Sequence, residues 1–529
     1  MNHPLRQATY EEIRAALLAR NEIALLDVRE EDPHAQAHPL FAANFPLGRI
    51  EIDAYAKLPR RDVPIVTLDG GEGEAELAAN RLIALGYSDV SVLAGGVPGW
   101  AAAGGELFRD VNVPSKAFGE LVEAKRHTPS LSAEEVRALI DAEADVVIVD
   151  ARRFDEYRTM SIPTATSVPG AELVLRVPGL APDPSTRIVV NCAGRTRSII
   201  GTQSLINAGL PNPIAALRNG TIGWTLAGQA LDRGQTRQAT AVDGKIRANL
   251  AAGARRVADR AGVRRTTVAE IESWRTQTGR TTYFFDVRSP EEYEAGHLPG
   301  WRPVAGGQLV QETEMVAPVR GARIVLVDDD GVRANMTASW LAQMNWEVHV
   351  VDDALAADFS ARGPWVAPLP PRPDIATIAP SVLAARLESR DGLAIIDLAT
   401  AAEHAQGHVP GSWFALRSRL LEALQAIPPA EGYVLTSPDG HLATFAASEL
   451  QALIAAPVLA LAGGTQAWVA AGQAVHSGLE RLASPLIDRY RRPYEGTDNP
   501  REAMQGYLDW EFGLVEQLAR DGTHGFFVI

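Results

Sequence analysis

The sequence predicts an α/β protein of four tandem domains, each a central, mainly parallel sheet flanked by helices. Three observations carry this reading. The chain has 529 residues, too many for one hydrophobic core. A strand-like run ending in Asp recurs at Asp27, Asp150, Asp286 and Asp397, and a second run follows each, ending at Asp69, Cys192, Asp328 and Ser437. Inside every copy, β-branched runs alternate with helical periodicity, the pattern of parallel strands joined by crossover helices.

The register of the repeat is tight. The two positions lie 42 residues apart in the first three copies and 40 in the fourth, and three copies close on a tryptophan 31 or 32 residues later, at Trp100, Trp224 and Trp468. A period above 100 residues means repeated whole domains rather than a solenoid of small units.

In chain order, residues 1–112 form the first domain, with Asp69 opening an acidic Gly-rich turn, Asp69-Gly70-Gly71-Glu72-Gly73-Glu74. The second domain, 113–250, has a capping-box start at Ser132 with Glu135. After Cys192 a helix runs to Gly209, a C-terminal stop signal. Residues 236–262 read as a charged linker helix. The third domain, 251–366, carries Asp328 and ends near a stretch with five prolines between Pro364 and Pro373. The fourth, 367–489, carries Ser437, and residues 490–529 form a packing tail with a helix near 500–520.

Composition bounds the function. The net charge of −15 argues against a nucleic-acid partner. No apolar run reaches the roughly 20 residues of a membrane span. The chain has one cysteine, so neither an intramolecular disulfide nor a thiolate zinc site is available, which points to the reducing cytoplasm. No metal and no cofactor are expected. His404 and His408 have helical ligand spacing, but the Gly-His-x-Pro-Gly context, shared with His297, favours a structural hydrogen-bonding role.

Cys192 opens the turn Cys192-Ala193-Gly194-Arg195-Thr196-Arg197-Ser198 between a strand and a helix. Successive backbone N–H groups ending at a helix N-terminus make an anion cradle, and a thiolate at its first position is expected to have a lowered pKa. Arg195 and Arg197 supply fixed charge suited to a multi-oxygen anion, with Arg152 and Arg158 as candidate wall residues. Asp69, Asp328 and Ser437 put no thiol at the equivalent position.

The Asp-Val-Arg strand ends, the segment Glu294-Ala295-Gly296-His297-Leu298-Pro299-Gly300, the cysteine loop and the closure Gly95-Gly96-Val97-Pro98-Gly99-Trp100 together resemble rhodanese domains, four times over residues 10–475. The resemblance implies a sulfurtransferase. Cys192 would take the outer sulfur of thiosulfate as a persulfide, cradled by Ala193 to Ser198, and pass it to cyanide, a thiol or a protein thiol. The commonest rhodanese loop has Gly at its fourth position; here Gly194 is third and Arg195 fourth. Three other readings stand beside thiosulfate transfer. One is a 3-mercaptopyruvate sulfurtransferase. Another is a cysteine-dependent phosphatase or arsenate reductase, although a phosphatase loop spaces its Cys and Arg one residue further apart than Cys192 and Arg197. The last is a sulfur-relay scaffold in which the thiol-free domains present partner surfaces.

Overall fold

The computed structural model describes residues 5–240, 244–389, 392–496 and 498–529. Four five-stranded units share one topology. In the second, the strand order is Ser130–Leu131, Ile214–Leu217, Arg187–Asn191, Val146–Asp150, Thr166–Ser167, and every pairing is parallel. The sister sheets repeat this order with the same first–fifth–fourth–second–third sequence of strands. Parallel strands need crossovers, and the intervening helices cover both faces. The central strands are therefore buried toward their carboxyl ends, as in residues 148–150 and 188–191.

One pairing breaks the rule. Val319–Arg320 of the third unit adds to the first unit's sheet, antiparallel to Ile23 and Ala24. That strand covers an edge and helps to make the first and third units share one apolar core, running from Leu26 and Phe45 to Leu326 and Trp346. Buried polar links tie the other pairs. Arg417 forks onto Glu51 across the first and fourth units at 2.6 and 3.0 Å, and Trp340 Nε1 donates to Ser204 Oγ at 2.9 Å across the third and second.

The expected local signals are present. Ser132 and Glu135 form a reciprocal capping box, and the helix after the cysteine loop spans Thr196–Ala208 with Gly209 in the left-handed conformation. The linker helix spans Gly244–Arg260, so it starts later than the charge pattern suggests; residues 241–243 lie outside the described residues. The tail holds two helices, Arg501–Phe512 and Leu514–Asp521, where one was expected. No described helix is long and apolar enough to cross a membrane.

The tail doubles back over the domains. Asp32 N–H donates to Ile487 O, and Tyr490 N–H donates to Glu31. Helix Arg501–Phe512 then packs Met504, Tyr507 and Leu508 against Ile222. Its end result is a roof over the cysteine loop.

Candidate functional site

Cys192 sits at the carboxyl end of the central strand Arg187–Asn191, where open α/β sheets bind ligands. The loop backbone is clamped from one side. Helix Gly220–Leu226 points its N-terminus at the loop, Thr221 N–H donating to Cys192 O at 2.9 Å and Ile222 N–H to Ala193 O at 3.0 Å. Gly220, at φ +53, is required there because an added Cβ would lie 2.4 Å from Cys192 O. Trp224 anchors this helix by donating its indole N–H to Ala230 O, and Trp100 and Trp468 repeat the bond to Glu106 O and Ala474 O. The closing tryptophans are thus anchors for the clamp, one in each domain that has one.

The three sister loops show what such a cradle binds. In the first, Asp69 Oδ1 accepts from Gly71 N–H at 2.9 Å and Oδ2 from Ala75 N–H at 3.0 Å. In the third, Asp328 accepts from Gly331 and Ala334 N–H at 3.0 and 2.8 Å, and in the fourth Ser437 Oγ accepts from Ala443 N–H at 3.2 Å. In each sister loop the oxygen of the first side chain accepts from the loop backbone, at two N–H groups for each Asp and one for Ser437. The second loop has sulfur at that place, with Sγ 3.4 Å from Ser198 Oγ.

The four candidate arginines separate. Arg152 is 1% exposed and forks onto Asp150 at 2.9 and 2.7 Å, with a third bond to Met160 O. Arg29 and Arg288 make the same three bonds in the thiol-free first and third domains, so this motif is structural wherever it occurs. Arg158 is exposed and stacks 6.0 Å over Phe154, outside the loop. Arg195 is also committed. Its three guanidinium nitrogens bond Glu120 at 2.7 and 2.8 Å, Glu123, and Asn219 at 3.0 Å, with Phe512 stacked on it at 4.2 Å. A buried guanidinium must be paired, and Asp150 already pairs Arg152 while Glu120 and Glu123 pair Arg195.

Arg197 is the arginine whose charge reaches Cys192 and lowers its pKa. It forks onto Glu156 at 2.7 and 2.9 Å. Burial works to raise the Glu156 carboxyl, yet Arg197 holds it down at about 2. Arg333 and Glu292 repeat this pair at the same spacing in the third domain.

The thiol does not have the lowered pKa that loop geometry alone suggests. Burial pushes Cys192 above its ordinary value, outweighing Arg197 and two contacts from Ser198, and the nearby Glu511 pushes the same way. The residue is only 2% exposed. The tail adds to this environment by placing Tyr507 and Glu511 on the loop, and no repeat pattern reveals it. An added Cβ at Gly194 would lie 3.1 Å from the Tyr507 ring and 3.3 Å from Glu511 Oε2, so the shift of glycine to the third loop position makes room for this roof. Sequence reasoning missed Glu120, Glu156, Tyr507 and Glu511. The repeated spacing of Glu156–Arg197 and Glu292–Arg333 was the one signal available for any of them. In the uncomplexed protein, alkylation of Cys192 by iodoacetamide should therefore keep rising as pH is raised to 9, and Ser198→Ala should slow it further at each pH. A rate already level at pH 7 would contradict the buried-thiol geometry.

The histidine pair plays the structural part expected. His404 Nδ1 lies 2.8 Å from Asp397 Oδ2 and stacks on His408 at 3.9 Å. A cavity of about 880 Å³ between the second and third domains reaches Thr196 and Arg197, but Cys192 is not in its wall.

Comparisons with known proteins agree with this architecture. The family described as "Rhodanese-like domain" matches residues 9–103, 132–227, 267–358 and 379–471. A crystal structure of a thiosulfate sulfurtransferase from Pseudomonas aeruginosa is 66% identical, covering 99% of this chain and 100% of that one, with a TM-score of 0.98. The uncharacterized protein YibN of Escherichia coli (strain K12) is 28% identical over 94 residues, 18% of this chain and 66% of YibN, just under two thirds of its length.

Proposed function

The chain belongs to the rhodanese-like domain family, four times over in one polypeptide, and from that membership we propose that it is a sulfurtransferase working through Cys192. The observation that carries this reading is the contrast among the loops. Three cradles place an internal oxygen on backbone donors, and one offers a sulfur nucleophile to the same kind of donors.

The Cys192 thiolate attacks the outer sulfur of thiosulfate. The sulfur–sulfur bond of the donor breaks, sulfite leaves with the electron pair, and Cys192 keeps a terminal persulfide anion. The loop N–H groups from Ala193 to Ser198 and the Arg197 charge stabilise that anion. An acceptor thiolate or cyanide then attacks the outer sulfur, Cys192 Sγ departs as thiolate, and the cycle closes. Because Arg197 is already neutralised by Glu156, the backbone donors carry most of the anion binding.

Thiosulfate is favoured over 3-mercaptopyruvate by the similarity to a thiosulfate sulfurtransferase along the whole chain. We also propose a thiol acceptor, which sulfurtransferase chemistry calls for, and a cytoplasmic location, which suits a chain with a single cysteine. Steady-state rates measured at several cyanide concentrations should give parallel double-reciprocal lines against thiosulfate, the sign of a covalent intermediate. Thiosulfate should have the larger kcat/KM of the two donors. Intersecting lines, or preference for 3-mercaptopyruvate, would overturn the corresponding half of the reading.

A further inference from the structure

Glu511 is an acid with no role in the four repeated domains, yet it sits on the cysteine loop. It is 1% exposed and lies on helix Arg501–Phe512. Its Oε1 accepts the Tyr507 hydroxyl at 2.9 Å, and its Oε2 has no hydrogen-bond partner. That free oxygen faces the backbone of Gly194, in contact range of any side chain placed there. A buried polar atom left unpaired costs free energy, so its retention beside the nucleophile calls for a partner that arrives with the reaction.

Resting on the sulfurtransferase reading, we propose that Glu511 is a substrate-contacting residue, its neutral carboxyl donating a hydrogen bond from Oε2 to the sulfur anion held in the Cys192 loop. The surroundings keep the acid uncharged. Burial, and then the charge of Glu120, push its pKa up to about 8, against Lys116, the Tyr507 hydroxyl and Arg195. Lys116 does not neutralise it, because that ammonium is held by Asp110 at 2.7 Å. Arg195 is likewise spent on Glu120 and Glu123. Tyr507 is itself pushed well above its ordinary value by burial and by Glu511, so it stays a donor. Tyr494 stacks edge-on against Tyr507 and closes the remaining side. A carboxyl whose Oε1 is already an acceptor carries its proton on Oε2, where it faces the cradle. A carboxylic acid held neutral in this way serves as a donor to a developing anion.

The proposal also sets a sign for pH. Below about 8 the acid donates to the anionic donor molecule; above it, the ionised group repels both that dianion and the Cys192 thiolate. Because the buried thiol gains thiolate as pH rises, kcat/KM for thiosulfate should climb with pH and level off above about 8, where Glu511 ionises.

The test compares full-length wild type with three variants, using thiosulfate with cyanide as acceptor. Glu511→Leu should lower kcat/KM for thiosulfate by about tenfold or more, the loss of one hydrogen bond to an anion. Glu511→Gln keeps an N–H donor but cannot ionise. It should recover most of that loss and let kcat/KM keep climbing above pH 8 where wild type levels off, and its Cys192 should be alkylated faster than wild type above pH 8. Tyr507→Phe, which frees Oε1, should weaken thiosulfate in the same direction by less. If Glu511→Leu folds poorly, the pH profiles of Glu511→Gln and Tyr507→Phe decide. An unchanged alkaline limb in Glu511→Gln, or unchanged kcat/KM in Glu511→Leu, overturns the proposal. Wild-type protein that takes no sulfur from thiosulfate overturns instead the reading on which it rests.

Discussion

Cys192→Ser should lose at least on the order of 10³-fold in kcat/KM for thiosulfate while keeping its fold. The fourth domain already contains the local structure of that variant. There Ser437 occupies the same place at the end of its strand and accepts the Ala443 N–H at 3.2 Å, so a hydroxyl fits the cradle without strain. What it lacks is nucleophilicity: the groups acting on Cys192 are Ser198, the cation Arg197 and Glu511, whose carboxyl is held protonated at pH 7, so none takes a serine proton. A circular-dichroism spectrum and melting profile matching wild type, with sulfur transfer gone, is the expected pair of results. Retained activity would assign the chemistry to another residue.

Arg195→Ala should do the reverse, damaging stability more than chemistry. Arg195 and Glu120 are each about 5% exposed and bonded through two nitrogens. Removing one member of a buried pair typically costs about 3–5 kcal/mol. Protonation softens this cost, because burial already holds the Glu120 carboxyl above its ordinary value. The loss should be local. The stacked ring of Phe512 also loses its partner, so helices Val113–Arg126 and Arg501–Phe512 should exchange amide hydrogens faster than the distant fourth domain. With several domains in one chain, site-resolved exchange is a better measure than a single melting temperature. A large rise in KM for thiosulfate without faster exchange would restore Arg195 as an anion ligand.

The fold was legible because it repeats. Asp27, Asp150, Asp286 and Asp397 mark four equivalent strands, and the sheets beneath them have one strand order. The antiparallel addition of Val319–Arg320 was not legible, since two residues of strand leave no periodic trace. At the site, the cysteine and its loop could be read from position and residue type. The fate of Arg195 and Arg197 could not, because it depends on carboxylates 41 to 75 residues away in sequence that fold back onto them. The loop dipoles suggested a lowered thiol pKa. Burial wins, and Glu511 adds to it from a helix at the far end of the chain, more than 300 residues beyond Cys192.

The central claim is that one loop of four carries sulfur. Intact-mass measurement after incubation with thiosulfate, without reducing agent, tests it most directly. The account predicts a gain of one sulfur atom per chain, located on the peptide containing Cys192 and removed by cyanide. A protein that gains no sulfur, or one that gains it in the Cys192→Ser variant as well, would contradict it.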